Sequence, residues 1–372
     1  MFFRDVIGHK ELVETLVSSV KSGRMGHALL FAGSNGCGSL ALALGLARYV
    51  LCTGDKTSDA CGECPSCRKM DKFVHPDLHF VFPVWLKEAS SVSDDFIREW
   101  RLLLSEGAYF DSGLWGLRLN AENKQLIIPA AESGSILGKL SLKAFESDFK
   151  IMLIWLPEKM NLEASNALLK IVEEPYEKTF FFLVTENLPA ILPTIRSRTQ
   201  IIHVPRIETS DIKDKLIRES GLPEIEAETY AHAGCGNWQK VCDMLNEPED
   251  TIYNREHFIG FMRLCWQRKM PAVNAWVEEI SGIGRERLKR FLHYGIRMIR
   301  ENFMANFKEE RLLYMTPKEK EFSKRFSPYM NEKNVVLLYR EFEKAYREVE
   351  MNGNSKIILT DLCIVTMQNI HP

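Results

Sequence analysis

The sequence predicts an α/β protein, a parallel sheet covered by helices on both faces, followed by purely helical regions. Three observations predict it. Up to about residue 205, short and almost continuously apolar runs alternate with helix-patterned segments, as expected of strands buried on both faces. A glycine-rich turn, Gly33-Ser34-Asn35-Gly36-Cys37-Gly38-Ser39-Leu40, separates the first apolar run from a helix-forming one. Beyond Pro205 the strand-like runs fade and apolar residues recur at helical spacing.

In chain order, strands are expected at residues 28–32, 78–82, 150–156, 179–184 and 201–204. A helix is expected over 162–174, where Ala164, Leu168, Ile171 and Val172 form one stripe and Pro175 closes it. Residues 85–127, with Ser90-Ser91-Val92-Ser93-Asp94-Asp95 and several glycines, exceed a minimal α/β domain and read as an insertion without a legible role. Residues 206–247 read as a small helical unit, with a turn at Gly234-Cys235-Gly236-Asn237. Pro248-Glu249-Asp250 reads as a linker into a helical region, 248–372. There Leu288, Leu292, Ile299 and Phe303, and Leu338, Phe342, Ala345 and Val349, form apolar stripes. The expected division is therefore 1–205, 206–247 and 248–372.

Hydrophobic content of 45%, charged content of 26% and a net charge of −2 describe an ordinary globular composition. Such a charge argues against a protein that lives by attraction to nucleic acid or membrane. No apolar run approaches the roughly 20 residues of a membrane span, and the N-terminus lacks signal-peptide features, so a cytoplasmic protein without membrane partners is expected. Nine cysteines in that setting are thiols or metal ligands rather than a disulfide framework.

The glycine turn keeps the Gly33, Gly36 and Gly38 framework of a phosphate-binding loop without its chemistry. A working loop follows its last glycine with Lys, which neutralises phosphate, and Ser/Thr, which ligates Mg²⁺. Here Ser39 and Leu40 stand there, so ATP binding by this chain is not expected. The plain alternative is a glycine-rich turn of no functional history. A second signal is Cys61-Gly62-Glu63-Cys64-Pro65-Ser66-Cys67 with Cys52 upstream. Two overlapping C-x-x-C units plus a fourth thiol suit a closed structural zinc site; a redox pair, an iron–sulfur cluster and unliganded thiols are the rivals.

Further segments carry a family resemblance. These are Asp5-Val6-Ile7-Gly8-His9, Gly26-His27-Ala28-Leu29-Leu30, the four cysteines followed by His75-Pro76-Asp77, Asn166-Ala167-Leu168-Leu169-Lys170 with Glu173-Glu174-Pro175, and Leu192-Pro193-Thr194-Ile195-Arg196-Ser197-Arg198-Thr199. Over residues 1 to about 245 the chain resembles the clamp-loader subunits of bacterial DNA polymerase III, within the AAA+ group. The resemblance implies an AAA+ (RecA-like) sheet with a zinc module, a small helical lid and an all-α collar. It places the metal-holding acids of active members at Trp155 and Leu156, and the second sensor arginine at Gln239, none of which can do that work. It leaves Arg198, beside Ser197, as a finger reaching into a neighbour's ATP site, against the alternative of an ordinary surface arginine. The implied partners are the gamma/tau ATPase subunits and the delta subunit, and through them the sliding clamp and primer–template DNA. Two other readings stand beside this one: an active ATPase subunit using Glu158 as a shifted acid with Lys240, and a zinc-dependent nucleic-acid-binding module.

Overall fold

The computed structural model describes all residues except 89, 122–123, 247–248, 308, 310–311 and 371–372. The chain divides into two compact units, one of Met1–Glu219 with Gly236–Lys240, the other of Ser220–Cys235 with Val241–Pro372.

The first unit is built on five parallel strands: β1 (Ala28–Gly33), β2 (Leu78–Val81), β3 (Lys150–Trp155), β4 (Thr179–Thr185) and β5 (Gln200–Val204). Their order across the sheet is β2-β3-β4-β1-β5. Each coincides with an expected run to within one or two residues. Alternation along β1 shows why the runs are continuous. Leu29 and Phe31 join one core with the helices Lys10–Lys21 and Ser39–Leu51, whereas Ala28 and Leu30 join another with Leu162–Glu173. Both faces are covered, so no position along the strand has reason to be polar.

Segment 85–127 is helical for much of its length, with Ile97–Glu106 and Ser112–Arg118. It belongs to the first core rather than standing apart. Trp100 stacks on Phe82 with ring centroids 4.3 Å apart and lies 5.2 Å from Trp155. Trp115 donates its indole N–H to the Pro83 carbonyl at 2.7 Å, which satisfies the one polar group of a fully buried side chain. The His75-Pro76-Asp77 motif is structural in its contacts. Asp77 accepts the backbone N–H groups of Phe145, Glu146 and Ser147 at 2.6–2.9 Å and so fixes the approach to β3.

The second unit is helical and has its own core. The helices Arg285–Met304 and Val335–Glu350 pack closely: a Cβ on Gly295 would lie 2.2 Å from Phe342 Cε1. Both expected stripes face this core, with Phe303 at its edge. The expected linker is different. Glu249 and Asp250 begin the helix Glu249–Gln267, and Pro248 lies outside the described residues.

Candidate functional site: a filled glycine loop and a four-thiol cluster

The glycine loop joins β1 to the helix Ser39–Leu51. Gly36 and Gly38 have φ of +70° and +99°, a region that side chains with a Cβ avoid. The two glycines therefore keep a tight turn between strand and helix. Its interior does not stay open. The Cys37 thiol and Ser39 hydroxyl turn inward, 3.2 Å apart and buried, and burial pushes the Cys37 thiol up. The ring of Tyr109, from the insertion, lies over Gly38, where an added Cβ would come within 3.1 Å of it. The Tyr109 hydroxyl accepts the Ile7 N–H at 2.9 Å. From the other side, the Asn237 amide lies over Gly36 so closely that a Cβ there would be 1.9 Å from its Oδ1. The Trp238 N–H donates to the Gly36 carbonyl at 3.0 Å. Asn35 Nδ2 donates to Asp111 at 3.3 Å, and Asp111 caps the helix Ser112–Arg118. The cavity left between Gly33, Gly38, Tyr109, Phe110, Trp155 and Glu186 measures about 20 Å³, room for about one water.

At the end of β3, Trp155 is 1% exposed and packs on Trp100 and Phe110. Leu156 is likewise buried and adopts φ +54°. Glu158 accepts the Glu186 N–H at 3.0 Å. The Glu186 carboxyl is pushed up to about 7, by burial first and then by the charges of Glu158 and Asp111.

The four cysteines come together as the spacing predicts. Cys52 ends the helix Ser39–Leu51, and Cys64 caps the helix Pro65–Asp71 by accepting the Cys67 N–H. All four sulfurs lie within 4.8 Å of one another. Cys52 is 3.5 Å from Cys61 and 3.9 Å from Cys64, and Cys61 is 3.9 Å from Cys67. A tetrahedron of thiolates about 2.3 Å from a zinc ion has edges of about 3.8 Å, so the cluster could hold a metal ion. Gly54 makes this possible, since a Cβ there would lie 2.7 Å from Cys61 Sγ. Beneath the cluster the buried Arg48 donates to the Cys67 carbonyl at 2.9 Å, pairs with Asp71 and lies 3.5 Å from the Phe2 ring centroid. That arginine ties the helix after the glycine loop to the thiol module.

Arg198 follows the helix Pro193–Arg196 and stays at the surface, its side chain 39% exposed. Its Nε lies 2.6 Å from Glu173, itself 44% exposed. Nη1 donates to the Thr194 carbonyl at 3.0 Å and to Ser197 Oγ at 3.3 Å. Neither Arg198 nor Ser197 lines the glycine-loop cavity. Sequence reasoning missed Tyr109, Phe110 and Asn237.

Strand order, the glycine turn after β1 and the helix that follows it are those of the AAA+ class of protein. More narrowly, the sequence model of the family described as DNA polymerase III, delta subunit, matches residues 8–208, and the chain belongs to that family. It is delta-prime-like. It is 27% identical to DNA polymerase III subunit delta' of Bacillus subtilis over 214 residues, 58% of this chain and 53% of that one. The Escherichia coli subunit delta' is 30% identical over 190 residues, 50% of this chain and 45% of that one. A DNA polymerase III subunit gamma of Buchnera aphidicola is 28% identical over 256 residues, 68% and 59% of the two chains. The match spans about half the length of the delta' relatives. Among solved structures, a gamma subunit-related protein of Thermotoga maritima covers 96% of this chain and 99% of its own at 14% identity and a TM-score of 0.38.

Proposed function

We propose that this chain is a catalytically silent subunit of a DNA polymerase III clamp loader that donates Arg198 to the ATP site of a neighbouring subunit. One observation carries the proposal. The phosphate loop keeps its turn while Tyr109 and Asn237 of the same chain occupy its mouth, and the retained arginine lies outside it, at the surface. A bound triphosphate needs a cation and a metal ligand at the loop, and Ser39 and Leu40 supply neither. Nor does a cavity of about 20 Å³ leave space for one. Glu158, the candidate shifted acid, is engaged by the Glu186 N–H, which speaks against an active site built on it.

Arg198 is held by Glu173, an exposed pairing worth little on its own. Exchanging that carboxylate for phosphate oxygens of a neighbour would gain a bidentate, charge-assisted contact. The Ser197 hydroxyl would keep the side chain from folding back. In this reading the partners are gamma/tau and delta subunits, the sliding clamp and primer–template DNA are met through the complex, and the work is done in the cytoplasm. Residues 206–247 act as a lid and 248–372 as a collar. The four thiolates hold structural zinc, which supplies rigidity rather than chemistry.

Reconstitution with gamma/tau and delta subunits tests this. Arg198→Ala should leave the fold intact and lower ATP turnover of the complex by about 10³-fold at the site it serves. Unchanged turnover would sink the finger role. Magnesium-dependent turnover by the isolated chain, abolished by Glu158→Ala, would instead identify an active subunit.

A further inference from the structure

Two aromatic side chains stand side by side at the surface of the helical unit, Trp266 at 37% and Tyr329 at 41% exposure. Their rings meet edge to face with centroids 4.7 Å apart, and together they wall a groove of about 260 Å³. Trp266 belongs to the helix Glu249–Gln267, and Tyr329 to the turn that follows the helix Pro317–Phe326. Met262 and the stacked rings of Phe322 and Phe326 line the floor. The Tyr329 side is fixed in advance. Asn306 Nδ2 donates to the carbonyls of Ser327 at 2.9 Å and Met330 at 2.7 Å, and Asn334 Nδ2 donates to the Tyr329 carbonyl at 2.8 Å. A turn held in this way leaves little to be ordered when something binds.

The charged residues that line the groove, among those described, are Arg263 and Arg325. Both are exposed, and among the described residues neither guanidinium has a hydrogen-bond or ion-pair partner. Unpaired guanidinium groups match carboxylates fork to fork. Apolar surface rimmed by polar groups marks a contact site. Interfaces are enriched in Trp, Tyr, Phe, Met and Arg and poor in Lys, Asp and Glu, and the lining follows that bias, with no Lys, Asp or Glu in it. Small-ligand sites run from about 300 to 1,000 Å³; this groove falls below that range and suits an anchoring side chain rather than a whole ligand. Single-stranded nucleic acid is the less fitting occupant. Bases stack on open aromatic faces along a basic track, whereas here the rings meet edge to face over an apolar floor.

We infer that this groove docks an acidic segment of a partner protein, with an aromatic or long aliphatic side chain seated on Met262 and Phe326 and carboxylates on Arg263 and Arg325. The surface lies wholly in the helical unit and stands whether or not Arg198 acts as a finger. It is also distinct from subunit assembly. A stable subunit interface takes about 800 Å² from each partner, whereas this groove receives one anchoring residue with its acidic neighbours.

The test is fluorescence anisotropy on the full chain, using a short fluorescein-labelled peptide with one phenylalanine flanked by aspartates. Saturable binding is expected, weakened about tenfold or more by Arg263→Ala combined with Arg325→Ala. Tyr329→Ala should weaken it separately, as should replacing the peptide's phenylalanine by alanine. Removing two cations elsewhere, by Lys21→Ala with Arg24→Ala, should leave it unchanged. The replaced side chains are exposed, and thermal melts matching the wild type confirm that the variants fold. Absence of saturable binding overturns the inference. So does binding that survives both groove variants, or that falls equally with the Lys21 and Arg24 variant. Equal binding of a peptide with lysines in place of the aspartates removes the role of charge and overturns it too. A labelled single-stranded oligonucleotide that binds through the same arginines while the peptide does not would identify a nucleic-acid surface instead.

Discussion

Single side chains decide the chemistry of this molecule, and several can be tested one at a time. Glu186 is the clearest electrostatic case. Its carboxyl titrates at about 7 in the folded chain, against about 4.3 for an unperturbed glutamate, so the native state holds the proton more tightly than the unfolded one. The stability this gives is complete below the unfolded value and is lost as pH rises through 7. Glu186→Gln should flatten the stability–pH profile across that window and stabilise the protein at pH 8 by about 1 kcal/mol, after allowance for partial exposure. Urea melts at pH 5 and pH 8 read this directly, and an unaltered slope would mean another group is responsible. Cys64 is the matching case for the metal. Against burial, which pushes it up, contacts from Cys67 and Thr53 hold its thiol down at about 5. On the proposed zinc site, Cys64→Ser removes one of four ligands, so zinc content measured by atomic absorption should fall well below that of the wild type; equal content in both would show that the thiols do not hold it.

Elements, not isolated residues, fill the glycine loop. The insertion contributes Tyr109 and Phe110 because Trp100 and Trp115 anchor it to Phe82 and Trp155. Tyr109→Phe would leave the Ile7 N–H without its acceptor and should cost about 1 kcal/mol of stability. Gly36→Ala meets both a left-handed φ and the Asn237 side chain. It should destabilise by about 1–3 kcal/mol, and Asn237→Ala in the same chain should restore the steric part; no such rescue would mean that Asn237 does not occupy that position in solution. The five strands were legible because burial on both faces writes itself as local hydrophobicity. The thiol cluster was legible because its ligands sit within one short stretch. The insertion's place was not, since nothing local distinguishes an aromatic that meets Trp155 from one that meets solvent. The contact between Asn237 and Gly36 was equally hidden, because it joins segments far apart in the chain. Helical stripes such as Leu338, Phe342, Ala345 and Val349 revealed a core, but the same periodicity does not say which helix packs against which.

Across the whole molecule, two units each have a separate hydrophobic core, and the expected metal belongs to one of them. Calorimetry should therefore resolve two unfolding transitions, and chelation should lower only the one that carries the thiols; a shift in both by the same amount would show that they melt as one. The tethered occupants of the glycine loop have a consequence of their own. Where a fold leans on a diffusible ligand, its sturdiness follows supply, rising by about 2.7 kcal/mol at a hundredfold excess over the dissociation constant. Tyr109 and Asn237 are always present at the same effective dose. The unit that bears them is thus set to hold one shape at any concentration of a diffusible ligand.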